Sequence, residues 1–161
     1  MIGAPDAQST GPQVYSSKRQ SDGTWSAVRP LPDVTPFGQP TGFGHSLAVD
    51  GAQALVGAYG GAAEASQGHL FTDNGDGTWA YRQLIEPDLE DSQQFQDFAW
   101  SVDLSGGTLV LGAPGDNGAD EESFGYRGAA FVASESPAIC YDTGSCLCVD
   151  GYSGATCDVA P

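Results

Sequence analysis

FAWSVDLSGGTLVLGA, residues 98–113, decides how this chain is read. Val102 and Leu104 alternate with polar neighbours, as on a half-buried strand. Ser105-Gly106-Gly107 then turns the chain into a more continuously apolar strand from Thr108 to Leu111, which runs into Gly112-Ala113-Pro114. Residues 43–58, FGHSLAVDGAQALVGA, align with this stretch without a gap, placing Phe43 over Phe98, Ser46 over Ser101 and Gly51 over Gly106. Ile2-Gly3-Ala4-Pro5 repeats the glycine-alanine exit, so that Gly3, Gly57 and Gly112 lie 54 and 55 residues apart. DGTW recurs with the same period, its tryptophans Trp25 and Trp79 standing 54 residues apart.

Three landmarks sharing one period predict a repeat, and a period of about 40–55 residues points to β-propeller blades rather than helical solenoids. Each unit reads as four short strands: SLAVD or SVDLS; ALVGA or TLVLGA; PQVYSS, GHLFT or GAAFVAS; and TWSAVRPL or TWAYRQLI. Small residues at the glycine-alanine exit suit a place where backbones crowd together, and the proline sets the direction in which the chain leaves. Trp25 and Trp79 read as large apolar anchors between neighbouring sheets.

Phe43-Gly44, Gly3-Ala4-Pro5, Gly112-Ala113-Pro114 and the small-residue entry Gly128-Ala129-Ala130-Phe131 resemble the FG-GAP repeats of integrin α-like propellers. The resemblance covers residues 1–134 and implies a partial blade over 1–40, a blade over 41–95 and a second partial blade over 96–136. The expected fold is therefore all-β: an incomplete β-propeller of about two and a half four-stranded antiparallel blades, followed by a small disulfide-rich tail. Two places depart from the pattern. Tyr59 stands where proline is expected, and Ala99-Trp100 replace the glycine and the residue after it. Without a closed ring the terminal units should expose strand edges and apolar flanks, so the remaining blades or a partner chain are expected to cover them.

Composition supports a turn-rich β protein, with 23 glycines and 10 prolines in 161 residues. Five Lys and Arg against 21 Asp and Glu give a formal net charge of -16, which disfavours nucleic acid and anionic membrane surfaces as partners. Cations, basic proteins and neutral glycans remain open, as does the plainer role of a charge that keeps a surface soluble.

Cys140, Cys146, Cys148 and Cys157 all fall in the last 22 residues, which marks a tail at 137–161 and an oxidising, extracellular or cell-surface setting. MIGAPDAQST has no basic n-region or apolar h-region, and no stretch is long and apolar enough to span a bilayer. The expectation is that a secretion signal was removed or that this is part of a longer chain. CLCVDGYSGATC, residues 146–157, resembles the C-terminal half of an EGF-like module. That resemblance implies pairing of Cys148 with Cys157 and of Cys140 with Cys146, whereas four cysteines alone allow three connectivities. Zinc binding is the competing reading, weakened by the lack of a C-x2-C knuckle or a nearby histidine.

Asp116, Asn117 and Asp120 follow the third glycine-alanine exit, where integrin-like blades carry a calcium loop, so calcium is the one cofactor the resemblance suggests. The D-x-D-x-D-G-x-x-D order is absent, and the corresponding loop of the second unit offers only Glu64, which favours a solvated turn. Asp73, Asn74 and Asp76 read as hairpin-turn residues. His45 and His69 accompany no recognisable catalytic motif, and the acidic segment 86–97 reads as a solvated loop between units. The expected role is non-catalytic recognition or adhesion outside the cell, with protein or glycan bound through loops. An accessory part of a larger secreted hydrolase and a structural spacer of a wall or matrix protein are the alternatives.

Overall fold

A computed structural model describes residues 1–5, 14–32, 34, 42–59, 66–86, 97–116 and 128–134, together with the backbone of 138–140 and 146–148. All regular structure in these residues is β. Strands β1 (Ile2–Gly3), β2 (Val14–Ser16) and β3 (Arg29–Pro30) form one antiparallel sheet. A four-stranded meander follows, from β4 (Phe43–Asp50), β5 (Gln53–Ala58), β6 (Gln67–Asp73) and β7 (Trp79–Ile85). The third sheet comprises β8 (Ser101–Ser105), β9 (Thr108–Ala113) and β10 (Ala129–Ser134).

The turns between strands follow from local chemistry. Asp50-Gly51 reverses the chain with Gly51 at a φ of 56°, and Gly106 and Gly107 do the same at 55° and 77°. In the β6–β7 hairpin the Asp73 carboxylate accepts from the Gly75 amide at 2.9 Å, and Asp76 accepts from the Thr78 amide and hydroxyl at 2.9 and 2.5 Å. Asp22 caps Thr24 in the same way, at 2.9 and 2.7 Å. These paired turns hold the carboxylates of both DGT segments.

The middle sheet is covered on both faces, and β5 shows how. Ala54, Val56 and Ala58 point to one side, where they pack with Val14 and Leu31 of the first sheet's segment. Leu55 points to the other and packs with Leu104, Leu109 and Leu111 of the third sheet. The period of two thus distributes one buried strand between two cores. Each fully buried leucine or valine contributes about 1.5–3 kcal/mol.

Glycines let the sheets approach along both seams. A Cβ on Gly3 would collide with the Gly44 carbonyl, and one on Gly57 would collide with the Ala99 carbonyl and the Ser46 hydroxyl. Ser46 Oγ itself donates to the Ala99 carbonyl at 2.9 Å. Gly44 and Ala99 are 55 residues apart, so the repeat seen in the sequence reappears as a repeated contact between sheets.

These findings correct the propeller expectation. Ahead of the tail, the described residues form three small, separate, open sheets and no closed or curled arrangement of blades. Among the described residues only one sheet has four strands, and the outer faces of the other two carry exposed apolar residues, Ile2 at 66% and Val132 at 71%. The physical reason is that a ring closes only when its first and last sheets meet, and here the middle sheet separates them. The tail is corrected too. It is described as a two-stranded ladder, β11 (Ala138–Cys140) against β12 (Cys146–Cys148), which is a separate open sheet and not an EGF-like module. No disulfide is found among the described residues. The side chains of Cys140, Cys146 and Cys148, and Cys157 as a whole, lie outside them.

Candidate functional site

Three aromatic rings meet at the surface across the seam between the second and third sheets. His45 and Trp100 have ring centroids 4.6 Å apart, Tyr59 and Trp100 5.0 Å, and His45 and Tyr59 5.7 Å. His45 and Trp100 are exposed and Tyr59 is half-buried.

The backbone places them. Pairing of β4 with β5 shifts between Phe43 and Ser46, so Gly44 and His45 bulge out of the ladder, Gly44 with a φ of 91°. The His45 amide donates to the Gly42 carbonyl at 2.9 Å. One repeat later the Trp100 amide donates to the Asp97 carbonyl at 3.1 Å, closing the same four-residue turn. Two glycines serve the first turn, Gly42 at 78° and Gly44 at 91°. In the second, Asp97 and Ala99 hold those positions at 65° and 57°, in the left-handed region that side chains disfavour by about 1 kcal/mol each. Tyr59 follows the last residue of β5 and reaches both. The Asp97 carboxylate faces its hydroxyl: its negative charge, then burial, then their hydrogen bond hold the phenol pKa above the ordinary tyrosine value.

Every unusual choice of the repeat therefore converges on one spot. Tyr59 in place of proline, Trp100 after the missing glycine, and strain at Asp97 and Ala99 all build this surface. Strained non-glycine residues of this kind cluster at functional sites. The arrangement offers aromatic faces for stacking, the hydrogen-bonding edge of an imidazole and one carboxylate.

Other candidates are placed elsewhere. Asp116 is buried, its amide donating to the Ala113 carbonyl at 3.2 Å and its own carbonyl accepting from the Gly128 amide at 3.0 Å, so it ties the exit of β9 to the entry of β10. Asn117 and Asp120 lie outside the described residues, as does Glu64 and all of segment 86–97 but its ends. Among the described residues no three His, Cys, Asp or Glu side chains converge, and the calcium expectation at Asp116, Asn117 and Asp120 falls largely outside them. Asp73, Asn74 and Asp76 are engaged in their hairpin, and Asp73 also pairs with Lys18 at 3.4 Å. His69 is fully buried on β6, its ring 5.4 Å from that of Phe43 and 6.1 Å from that of Tyr81. Neither of its nitrogens has a hydrogen-bond partner, and burial lowers its pKa to about 4.

A cleft of about 180 Å³ lies between the first two sheets, lined by Met1, Ser16, Lys18, Val49, Asp73 and Trp79. It is smaller than the roughly 300–1,000 Å³ usual for ligand pockets. The aromatic surface is therefore the better candidate. Trp79 is half-buried in the core beside this cleft, while its repeat equivalent Trp25 is 67% exposed. No helix among the described residues is long and apolar enough to cross a membrane.

Comparison of the chain with protein families, with curated proteins and with solved structures gives no match. The FG-GAP and EGF-like resemblances thus have no family match behind them, and the site must be read from its own chemistry.

Proposed function

We propose that this chain is a non-catalytic recognition module of a secreted or cell-surface protein, and that it takes a neutral glycan on the surface formed by His45, Tyr59 and Trp100. The observation that carries this reading is the exposed triad itself, assembled from two sheets at the cost of left-handed backbone at Asp97 and Ala99. A pyranose presents an apolar face of C–H groups that stacks on Trp and Tyr, and hydroxyls at its rim that an imidazole and a carboxylate can bind. The net charge of -16 disfavours sulfated or uronic-acid sugars. The extracellular part of this reading is supported by the clustering of all four cysteines in the last 22 residues.

The test is a glycan array of neutral and acidic oligosaccharides, followed by NMR titration of the hits. Shifts confined to the amides of residues 42–46, 57–59 and 97–101 support the reading. Saturable binding that shifts only amides elsewhere in the chain, or no saturable glycan binding at all, sinks it. In the latter case a protein array distinguishes a protein ligand from a structural spacer.

A further inference from the structure

We infer that the two uncovered sheet faces are halves of one interface, and that a second copy of the chain stacks its first sheet on the last sheet of its neighbour, head to tail. The argument rests on the repeated seam and is independent of the glycan reading.

At the seam between the second and third sheets, the second presents a row of small residues beside a mixed one, and the third presents large residues. The second sheet contributes the cross-strand rows Ser46, Gly57, Gly68 and Ala48, Leu55, Leu70. Onto these pack Phe98, Leu109, Leu111 and Phe131. The seam between the first and second sheets again has a small position: Gly3 lies against Gly44 and Leu47, and its row partner Val14 packs with Phe43, Val56 and Phe71 of the second sheet.

The third sheet carries the small face again, now uncovered. Its rows are Ser101, Gly112, Ala130 and Asp103, Val110, Val132, in the same register as those of the second sheet. Val110 and Val132 thus stand where Leu55 and Leu70 are fully buried, yet are 38% and 71% exposed. The first sheet carries the large face. Ile2, Tyr15 and Pro30 form one cross-strand row on it, and Ile2 occupies the repeat position of the buried Val56. Trp25 and Val28 of the same segment are 67% and 63% exposed.

A large open face at one end and a small open face at the other are complementary to each other and not to themselves. Charge agrees. Among the described residues the first sheet's segment carries Lys18, Arg19 and Arg29 against Asp22, whereas the third sheet's segment carries Asp97, Asp103 and Asp116 and no basic residue. Two last sheets face to face would also oppose Asp103 to its twin. The contact is therefore heterologous, each copy using both of its ends.

Sedimentation velocity on the full chain, to about 1 mM, tests this. Wild type should associate with concentration. Ile2→Asp and Val132→Asp, both at exposed positions, should each abolish self-association with unchanged circular dichroism and urea midpoint. Mixed together, they should form a 1:1 dimer and nothing larger, because one intact large face meets one intact small face. Trp25→Asp serves as a second large-face variant should Ile2→Asp fail to fold. A wild type that stays monomeric throughout, a variant that self-associates as well as wild type, or a mixture that forms no dimer would each overturn the proposal.

Discussion

The Ser46 hydroxyl donates to the carbonyl of Ala99, 53 residues away, across a gap that only a glycine at position 57 leaves open. This contact joins the second sheet to the third and fixes where the Asp97–Trp100 turn stands. It therefore also sets the distance between His45 and Trp100.

Gly57→Ala should destabilise the fold by about 1–3 kcal/mol, because the added methyl meets the backbone of Ala99, which has little freedom to withdraw. Ser46→Ala should cost about 1 kcal/mol for the lost hydrogen bond. Urea denaturation of both variants checks these values. A neutral Gly57→Ala would mean that the sheets are not held this close.

Asp97→Gly should raise stability by about 1 kcal/mol, since glycine adopts the φ of 65° without strain. The same change removes the carboxylate that faces Tyr59, so the phenol pKa should fall back toward its ordinary value. Thermal denaturation reads the first effect and NMR titration of Tyr59 the second. Opposite changes in stability and ligand affinity would be the signature of strain kept for function.

Acid should destabilise the protein through His69. Its folded pKa, about 4, lies below the 6.5 of an unfolded histidine, so the unfolded chain binds the proton more readily. The contribution of neutral His69 is fully present above pH 6.5 and is lost as pH falls toward 4, about 3 kcal/mol in all. His69→Leu should flatten that part of the stability profile. An unchanged slope between pH 6.5 and 4 in the variant would show that other groups are responsible.

Local structure was legible in the sequence because it follows from alternation and turn residues. Leu47 and Val49, Asp50-Gly51, and the apolar run from Ala54 to Ala58 give β4, their turn and β5 with little room for another reading. The arrangement of sheets was not legible in the same way. The 55-residue period reports that equivalent contacts recur, as Gly3 with Gly44 and Gly57 with Ala99 do, but it carries no information about closure.

The site was hidden for a different reason. His45, Tyr59 and Trp100 come from separate segments, and a repeat pattern treats Tyr59 and Trp100 as lapses. The available signal was that an aromatic replaces an expected small or rigid residue at two loops of adjoining units, beside a histidine at the repeat position of Trp100. Asp116 drew attention by its place after the third glycine-alanine exit; its backbone closes a loop there, while Asn117 and Asp120 lie outside the described residues.

Isothermal titration of a neutral oligosaccharide selected from the array, into wild type and into Trp100→Ala, tests the central claim most directly. The account predicts saturable binding that weakens at least tenfold in the variant, about 1.4 kcal/mol, while Trp25→Ala leaves the affinity unchanged. Equal affinities for wild type and Trp100→Ala would contradict it.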